Sequence, residues 1–415
     1  MSAAVEIRPV PPEPANRRPA VVDNSGFDLL VACCAASSGR GQADRLRRIL
    51  SRPLDWERIL DLVDHHRVLP QVYGPLSAFA HLVPARQLDA LRMRYQDNAH
   101  KALWFTGELV RILGHLESRG IRALPYKGPV LAEILYGEVT ERQFGDLDVL
   151  VRAADVLRAR AALLELGYKP GIEVPPQQEH AYLAAGYECP FHAVRGSNLL
   201  ELQWQVLPRF YSIDFELAGF FERADEISLG GRPMRTLRAE DSLLVLCVHA
   251  AKHVWVQLSW LCDIAQLAKS RRLDWDAIQH DARRLGIERI VNLNVLLAHK
   301  LLGSVLPPTI QKRLAEDPLT TVLADEILQV IERSVHYDTE SIPYFRLMMR
   351  LRERWQDRAR FLWRLVVTPN VSEWSAVRLP RHSQPLYRLV RLSRLAKRLA
   401  CAGRTVPIAE KLREF

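Results

Sequence analysis

The sequence predicts an α+β protein in which a small mixed β-sheet lies between an N-terminal and a C-terminal helical region. Apolar residues recur at helical spacing up to about residue 118 and again after residue 239. At Gly120 the pattern changes to short apolar or alternating runs, which are typical of strands. The composition is that of an ordinary globular protein, with 48% hydrophobic and 25% charged residues in a chain of 415.

Five parts follow from these changes in pattern. The first contains five prolines and few large apolar residues, which predicts disorder. In order, the parts are a disordered tail (1–25), an N-terminal helical region (26–118), a mixed-sheet core (119–238), a helical domain (239–342) and a basic C-terminal helical segment (343–415).

Local signals define the elements within these parts. Asp55 is a predicted N-cap, and a long helix is expected to end at Gly120 as its C-cap. In the core we expect, in order, a strand and turn in IRALPYKG, a helix in PVLAEILYG, a strand in DLDVLVR, a helix in AADVLRARAALLELGY, a strand in NLLELQWQV and a hairpin in EISLGGRPMRTL.

The charge and the cysteines limit the class of partner and the compartment. A net charge of +9 favours anionic partners such as nucleotides, nucleic acid or a membrane surface. None of the six cysteines forms a CxxC pair, which predicts reduced thiols. The N-terminus lacks the apolar core of a signal peptide, and charges interrupt every apolar run before the ~18 residues of a membrane span. We therefore expect a soluble, cytoplasmic protein.

Two aspartates stand one residue apart in the apolar run DLDVLV. Residues two apart in a strand share a face, so Asp146 and Asp148 project together while Leu147 faces the core. Buried carboxylates without a partner are unfavourable, and Mg²⁺ prefers such hard oxygen ligands. Glu201, on the polar face of an alternating strand, is the candidate for a third carboxylate. A loop cap or a salt bridge is the alternative explanation of the Asp-x-Asp pattern.

Three stretches together carry a resemblance to a known family: LPYKGPVLAEILYGEVTERQFGDLDVLV, LLELQW and LRAEDSLLVLCVHAAKHVWVQLSWLCDIAQLAK. They resemble the uncharacterised nucleotidyltransferase family of the DNA polymerase β-like superfamily, over roughly residues 30–380. The resemblance implies a polymerase β-like core and Mg²⁺-dependent transfer of a nucleoside monophosphate from an NTP to an acceptor. ATP is the expected donor, and the implied cofactor is a two-metal Mg²⁺ site.

The resemblance also implies roles for individual residues. Asp146, Asp148 and Glu201 match the catalytic carboxylates that hold the metals. The chain departs from the superfamily where Lys-Gly replaces Gly-Ser and where Gln203 takes a position at which we expect histidine. The Gln203 departure predicts weaker activity or a different acceptor.

The nucleotide is expected to lie beside the turn that follows the first strand of the core. The resemblance places Lys127 and Gly128 there, where a glycine lets backbone amides approach phosphate and a lysine adds a point charge. The helix that starts at Pro129 directs its positive end to the same place. Arg142 is predicted to contact phosphate or to neutralise the carboxylates.

A histidine-containing helix supplies further candidates. His249 and His253 share a helix face next to Lys252, which is compatible with second-shell packing, with acceptor or phosphate contact or, less well, with zinc. Asp263 resembles a family position and is expected to pair with a histidine or lysine across the helices.

A second class of function stays open. It is a non-catalytic nucleotide-binding adaptor, or an antitoxin-like module, that acts through a protein partner. The acceptor is unidentified (small molecule, peptide or protein), and nucleic acid is a further candidate partner on charge alone. The Arg-rich stretch 346–365 is expected to present a solvated helix face, or else to contact nucleic acid or an anionic membrane.

Overall fold

The structure is a computed structural model that describes residues 24–35, 40–172, 179–193, 199–334, 341–368 and 386–402. Residues 1–23 of the predicted tail lie outside the described residues, and Ser25 already begins the first helix.

The N-terminal region is helical, as predicted. Asp55 caps the helix Trp56–His66 by accepting a hydrogen bond from the backbone N–H of Arg58, and the long helix Ala85–Ser118 ends just before Gly120, whose φ is +67°. The helices are α1 (Ser25–Cys34), α2 (Arg40–Leu50), α3 (Trp56–His66), α4 (Leu69–Ala78) and α5 (Ala85–Ser118).

A five-stranded mixed sheet follows, in the order β1-β2-β5-β4-β3. Among the described strands of this sheet, β2 and β5 pair in parallel and the other neighbours are antiparallel. The strands are β1 (Ala123–Pro125), β2 (Asp146–Val151), β3 (Lys169–Pro170), β4 (Glu188–His192) and β5 (Leu199–Gln203). The helices among them are α6 (Gly128–Tyr136), α7 (Val156–Glu165) and α8 (Glu179–Ala185).

A short helix and a hairpin complete the core. After α9 (Leu217–Glu222), β6 (Asp225–Leu229) and β7 (Arg232–Thr236) form a separate two-stranded sheet. The turn residues Gly230 and Gly231 both have positive φ, at +57° and +75°. This backbone requirement explains the glycine pair that predicted the hairpin.

The two faces of the sheet differ in chemistry because the strands alternate. On one face Leu147 and Val149 of β2 lie opposite Leu200 and Leu202 of β5, and all four are buried. On the other face Asp148 lies opposite Glu201. The polar face is therefore set by the same period-2 alternation that forms the core.

The described residues after residue 238 are mainly helical. The first four of these helices, between Ala239 and Leu302, contribute with Trp255 to a large hydrophobic core that also includes residues of α1–α4. The apolar face of the sheet packs in a second core with α5 and α7. The helices are α10 (Ala239–Lys252), α11 (Leu258–Ser270), α12 (Trp275–Leu285), α13 (Glu288–Leu302), α14 (Pro308–Glu316), α15 (Pro318–Glu332), α16 (Ile342–Arg350), α17 (Trp355–Val367) and α18 (Tyr387–Ala402).

The Arg-rich stretch is not one continuous helix, because α16 ends at Arg350 and α17 begins at Trp355. Several of its arginines pair within the protein, such as Arg350 with Glu326 and Arg364 with Asp214. The apolar residues of this stretch are only partly buried, since Leu351 is fully buried and Trp355 is 72% exposed. Within the described residues, no helix combines the length and the apolar character that crossing a membrane requires.

Candidate active site

A pocket of about 480 Å³ separates the polar face of the sheet from helices α10 and α11. Asp146, Glu188 and Glu201 line its sheet side, and Lys127 and Gly128 lie at the start of α6 on the same side. The opposite side is lined by His249 and Lys252 of the histidine-containing helix, by its C-cap residue His253 and by Trp260. The fold thus brings most of the predicted site residues to one cavity.

The three predicted carboxylates lie on one face of two neighbouring strands. Asp148 and Glu201 are direct partners in the parallel register of β2 and β5, and Asp146 precedes Asp148 by two residues. Asp146 and Glu201 line the pocket, whereas the Asp148 side chain is 0% exposed. The structure therefore places the three carboxylates on the same face of the sheet, with Asp148 at the base of the pocket.

Lys127 is the counter-ion of the buried aspartate. Its Nζ donates to Asp148 Oδ1 at 2.5 Å, and its side chain is only 13% exposed. The other carboxylate oxygen, Asp148 Oδ2, is buried with no hydrogen-bond partner among the described residues. Burial disfavours the lysine charge, yet the carboxylates, with Asp148 foremost, raise the pKa of Lys127 above its ordinary value.

Gln203 links the carboxylates to one another. Its Nε2 lies 2.9 Å from Glu201 Oε2, 3.3 Å from Asp148 Oδ1 and 3.4 Å from Glu188 Oε2. The Tyr126 hydroxyl donates to Gln203 Oε1, which fixes the orientation of the amide. At the position where we expected histidine, the chain thus places a neutral donor shared among three acidic groups.

The acidic groups have unusual proton affinity. Burial, opposed by Lys127 and reinforced by Asp146 and Glu201, raises the pKa of Asp148 to about 7. Burial and the nearby Glu188 likewise raise the pKa of Glu201 to about 7. Both carboxyl groups therefore gain from any additional positive charge in the pocket.

The start of α6 is held against the acidic strand. Gly128 has φ +55°, and a Cβ there would lie 3.1 Å from the backbone oxygen of Asp146. Only glycine satisfies both the conformation and the close approach. Lys127 is the N-cap residue and makes no side-chain capping bond, and Pro129 follows in the first turn.

Arg142 and Asp263 form a buried ion pair with each other. Arg142 Nε and Nη2 lie 2.9–3.1 Å from the Asp263 carboxylate, and Tyr136 Oη donates to the same group at 3.3 Å. Asp263 thus pairs with an arginine rather than with the expected histidine or lysine. Arg142 also lines the pocket, but this bidentate pair occupies its guanidinium. The pair joins the loop before β2 to α11.

The helical wall of the pocket combines one lysine with histidines that are neutral near pH 7. The His249 and His253 rings lie 4.8 Å apart, and both contact the ring of Trp260. Burial and the neighbouring lysines lower the pKa of His253 to about 3, and burial also lowers the pKa of His249. Lys252 lies over the Tyr187 ring. The two imidazoles are therefore neutral hydrogen-bonding groups near pH 7 rather than cations.

Several residues that line the pocket were not predicted from the sequence, among them Glu188, Tyr126 and Arg67. Glu188 lies on β4, which contains Pro190 and therefore gave a weak strand signal. Tyr126 carries no local signal of its role, because its partner Gln203 lies 77 residues away along the chain. Arg67 is an exposed residue in the left-handed conformation, φ +52°, after α3, and only the folded chain brings it to the pocket.

The donor set matches a hard divalent cation, although the side chains are not arranged as a finished site. Within the described part of the chain, no three His, Cys, Asp or Glu side chains converge closely enough to hold a metal ion. Asp148 Oδ1 is taken by Lys127, and Glu201 Oε2 by Gln203. The free Asp148 Oδ2 and the carboxylates beside it nevertheless supply the oxygen ligands that Mg²⁺ prefers.

Two comparisons with known proteins bear on the family of the chain. A search of the curated proteins finds no match. The model of a family described as an uncharacterised nucleotidyltransferase matches residues 52–303, which is more than half of the chain. The match confirms the predicted family, and the mixed sheet with its helices confirms the α+β class. It also supports nucleotidyl transfer as the general role. The chain belongs to the uncharacterised nucleotidyltransferase family.

Proposed function

We propose that the protein transfers a nucleoside monophosphate from an NTP, with ATP as the expected donor, to an acceptor hydroxyl in a Mg²⁺-dependent reaction. The observation that supports this most strongly is the pairing of Asp148 with Glu201 across β2 and β5, with Asp146 on the same face. Acceptor oxygen and α-phosphorus form the new bond, and the bond from that phosphorus to pyrophosphate breaks.

The chain binds the donor at the turn before α6. Lys127 supplies a mobile positive charge to the phosphates, and Gly128 allows the backbone to approach them closely. The N-terminus of α6 adds the positive end of its dipole. These three features together favour an anionic tail at this edge of the pocket.

Asp146, Asp148 and Glu201 are the residues that would hold Mg²⁺. When bound, the metal activates the acceptor oxygen and neutralises charge on the phosphates. Gln203 keeps Asp148 and Glu201 side by side, and Glu201 and Glu188 lie on the pocket wall where they can accept the proton of the acceptor. The acceptor binds against the opposite wall of the pocket, which contains the neutral side chains of His249, His253 and Trp260.

Pyrophosphate release tests the proposal. The purified protein is incubated with each NTP, Mg²⁺ and cell extract as a source of acceptor, and intact-mass analysis identifies the product. We expect release that EDTA abolishes and that Asp146→Asn with Asp148→Asn removes. Unchanged release in this double variant would show that the carboxylates are not required.

A non-catalytic nucleotide-binding role is the second candidate, and one observation favours it. The Asp148 side chain is fully buried, and its Oδ1 is occupied by Lys127. Nucleotide binding without pyrophosphate release for any NTP, together with stoichiometric capture of one protein partner, would favour this adaptor role over catalysis.

A further inference from the structure

Lys127 stands where a cation would contact Asp148. Its Nζ is 2.5 Å from Asp148 Oδ1, and the amide of Gln203 approaches the same oxygen at 3.3 Å. The Tyr126 ring lies beside the ammonium group, 5.2 Å from Nζ to the ring centroid. These groups leave Asp148 without direct contact with the pocket. A metal ion can therefore take Oδ1 only where Lys127 moves.

The same lysine also faces the pocket. It is one of the lining residues, it precedes Gly128, and it sits on a flexible four-carbon stem. One ammonium group can thus satisfy the buried carboxylate or an anion in the cavity, but the two sites compete for it. Asp148 needs a positive partner in either case because an unpaired buried carboxylate is strongly unfavourable.

We propose that Lys127 exchanges partners, holding Asp148 until the phosphates of a nucleotide take its ammonium group. A divalent cation then replaces Lys127 at Asp148, so that metal binding depends on nucleotide binding. This inference rests on the proposed function for the identity of the anion and adds an order of binding to it. Without nucleotide, the Lys127 ammonium group occupies Oδ1, and its charge repels a cation that approaches the neighbouring Oδ2. By linkage, the metal and the nucleotide strengthen each other's binding.

Metal affinity without nucleotide gives the sharpest test, because nucleotides themselves chelate metals. Mn²⁺ is titrated into the full chain and free Mn²⁺ is measured by electron paramagnetic resonance. Lys127→Met removes the competing ammonium group, so this variant should bind Mn²⁺ about tenfold tighter than the wild type, within the usual range of coupling between sites. Asp148→Asn in the Lys127→Met background should remove the gain.

Lys252→Met is the matched control. Lys252 lines the same pocket and carries the same charge, but no direct contact joins it to Asp148 among the described residues. We expect its effect on Mn²⁺ affinity to stay well below that of Lys127→Met. An equal gain in the two variants would mean that only the overall field of the pocket changed, and it would overturn the partner exchange.

A measurement on the wild type keeps the test valid if Lys127→Met fails to fold. Wild-type protein that binds Mn²⁺ alone at low micromolar concentration, through Asp148, would overturn the proposal. Lys127→Gln, which keeps a donor for Asp148 but no charge, serves as a second variant with the same expected gain. If the protein releases pyrophosphate in a Mg²⁺-dependent reaction but neither Lys127 variant gains Mn²⁺ affinity, the partner exchange is overturned and the proposed function stands.

Discussion

Asp148 on β2 and Glu201 on β5 are opposite each other in the one parallel pair of the five-stranded sheet. The register places both side chains on the polar face, and the Gln203 amide bridges them. Two carboxylates that repel each other are thereby held together by the backbone and by a neutral donor.

Gln203 should set the strength of metal binding. Gln203→Leu removes the donor shared by Asp148, Glu201 and Glu188, so the carboxylates repel and separate. We expect apparent Mg²⁺ affinity to fall about 10–100-fold, as for other groups that orient metal ligands. Gln203→His, which restores a ring N–H, should retain more affinity than the leucine variant. Equal losses in both would show that the donor is unimportant.

Gly128 should be irreplaceable for a reason beyond backbone strain. Gly128→Ala strains a residue at φ +55° and presses a Cβ against the Asp146 backbone oxygen. Strain of this kind costs about 1–3 kcal/mol of unfolding free energy. Gly137→Ala is the control, because its φ is +74° and no atom would contact the new Cβ. Urea denaturation should show the larger loss for Gly128→Ala, and similar losses would contradict the close-approach argument.

The Arg142–Asp263 pair should be structural. Asp263→Asn leaves the buried Arg142 guanidinium without a counter-charge, which should cost about 3–5 kcal/mol in denaturant unfolding. Arg142→Met with Asp263→Leu removes both charges and should recover much of that loss. If Asp263→Asn costs little while NTP affinity collapses, Arg142 instead serves the nucleotide.

Stability should depend on pH through Asp148. Burial raises its pKa to about 7, so between about pH 4 and pH 7 the folded protein keeps a proton that the unfolded chain has released. The contribution of this proton to the free energy of unfolding is fully present below the pKa of Asp148 in the unfolded chain, and it is lost as the pH rises to about 7. Between pH 5 and pH 8, the free energy of unfolding of the wild type should fall by roughly 1–3 kcal/mol relative to that of the Asp148→Asn variant. A difference that stays flat, or that grows with pH, would exclude a raised pKa.

Much of the site could be predicted because it follows from local rules. The period of two in DLDVLV placed Asp146 and Asp148 on one face, and the alternation around Glu201 placed it on the polar side of its strand. Helix signals were equally local, as the end of α5 before Gly120 shows. Each of these predictions needed only neighbours along the chain.

What could not be predicted depends on contacts between distant segments. Lys127 was expected at phosphate, and only the folded sheet shows that its ammonium group reaches Asp148. Glu188 joins the acidic cluster through the pairing of β4 with β5, which Pro190 obscured in the sequence. The partner of Asp263 is Arg142, 121 residues away, and no local pattern indicates that choice.

Binding of a non-hydrolysable ATP analogue by isothermal titration tests the central claim most directly, because it needs no acceptor. We predict that the wild type binds the analogue strongly with Mg²⁺ and much more weakly in EDTA. The double variant Asp146→Asn with Asp148→Asn should lose the increase in affinity that Mg²⁺ gives. Binding that is absent under all conditions, or identical with Mg²⁺ and with EDTA, would contradict the assignment of these carboxylates to a metal beneath a triphosphate.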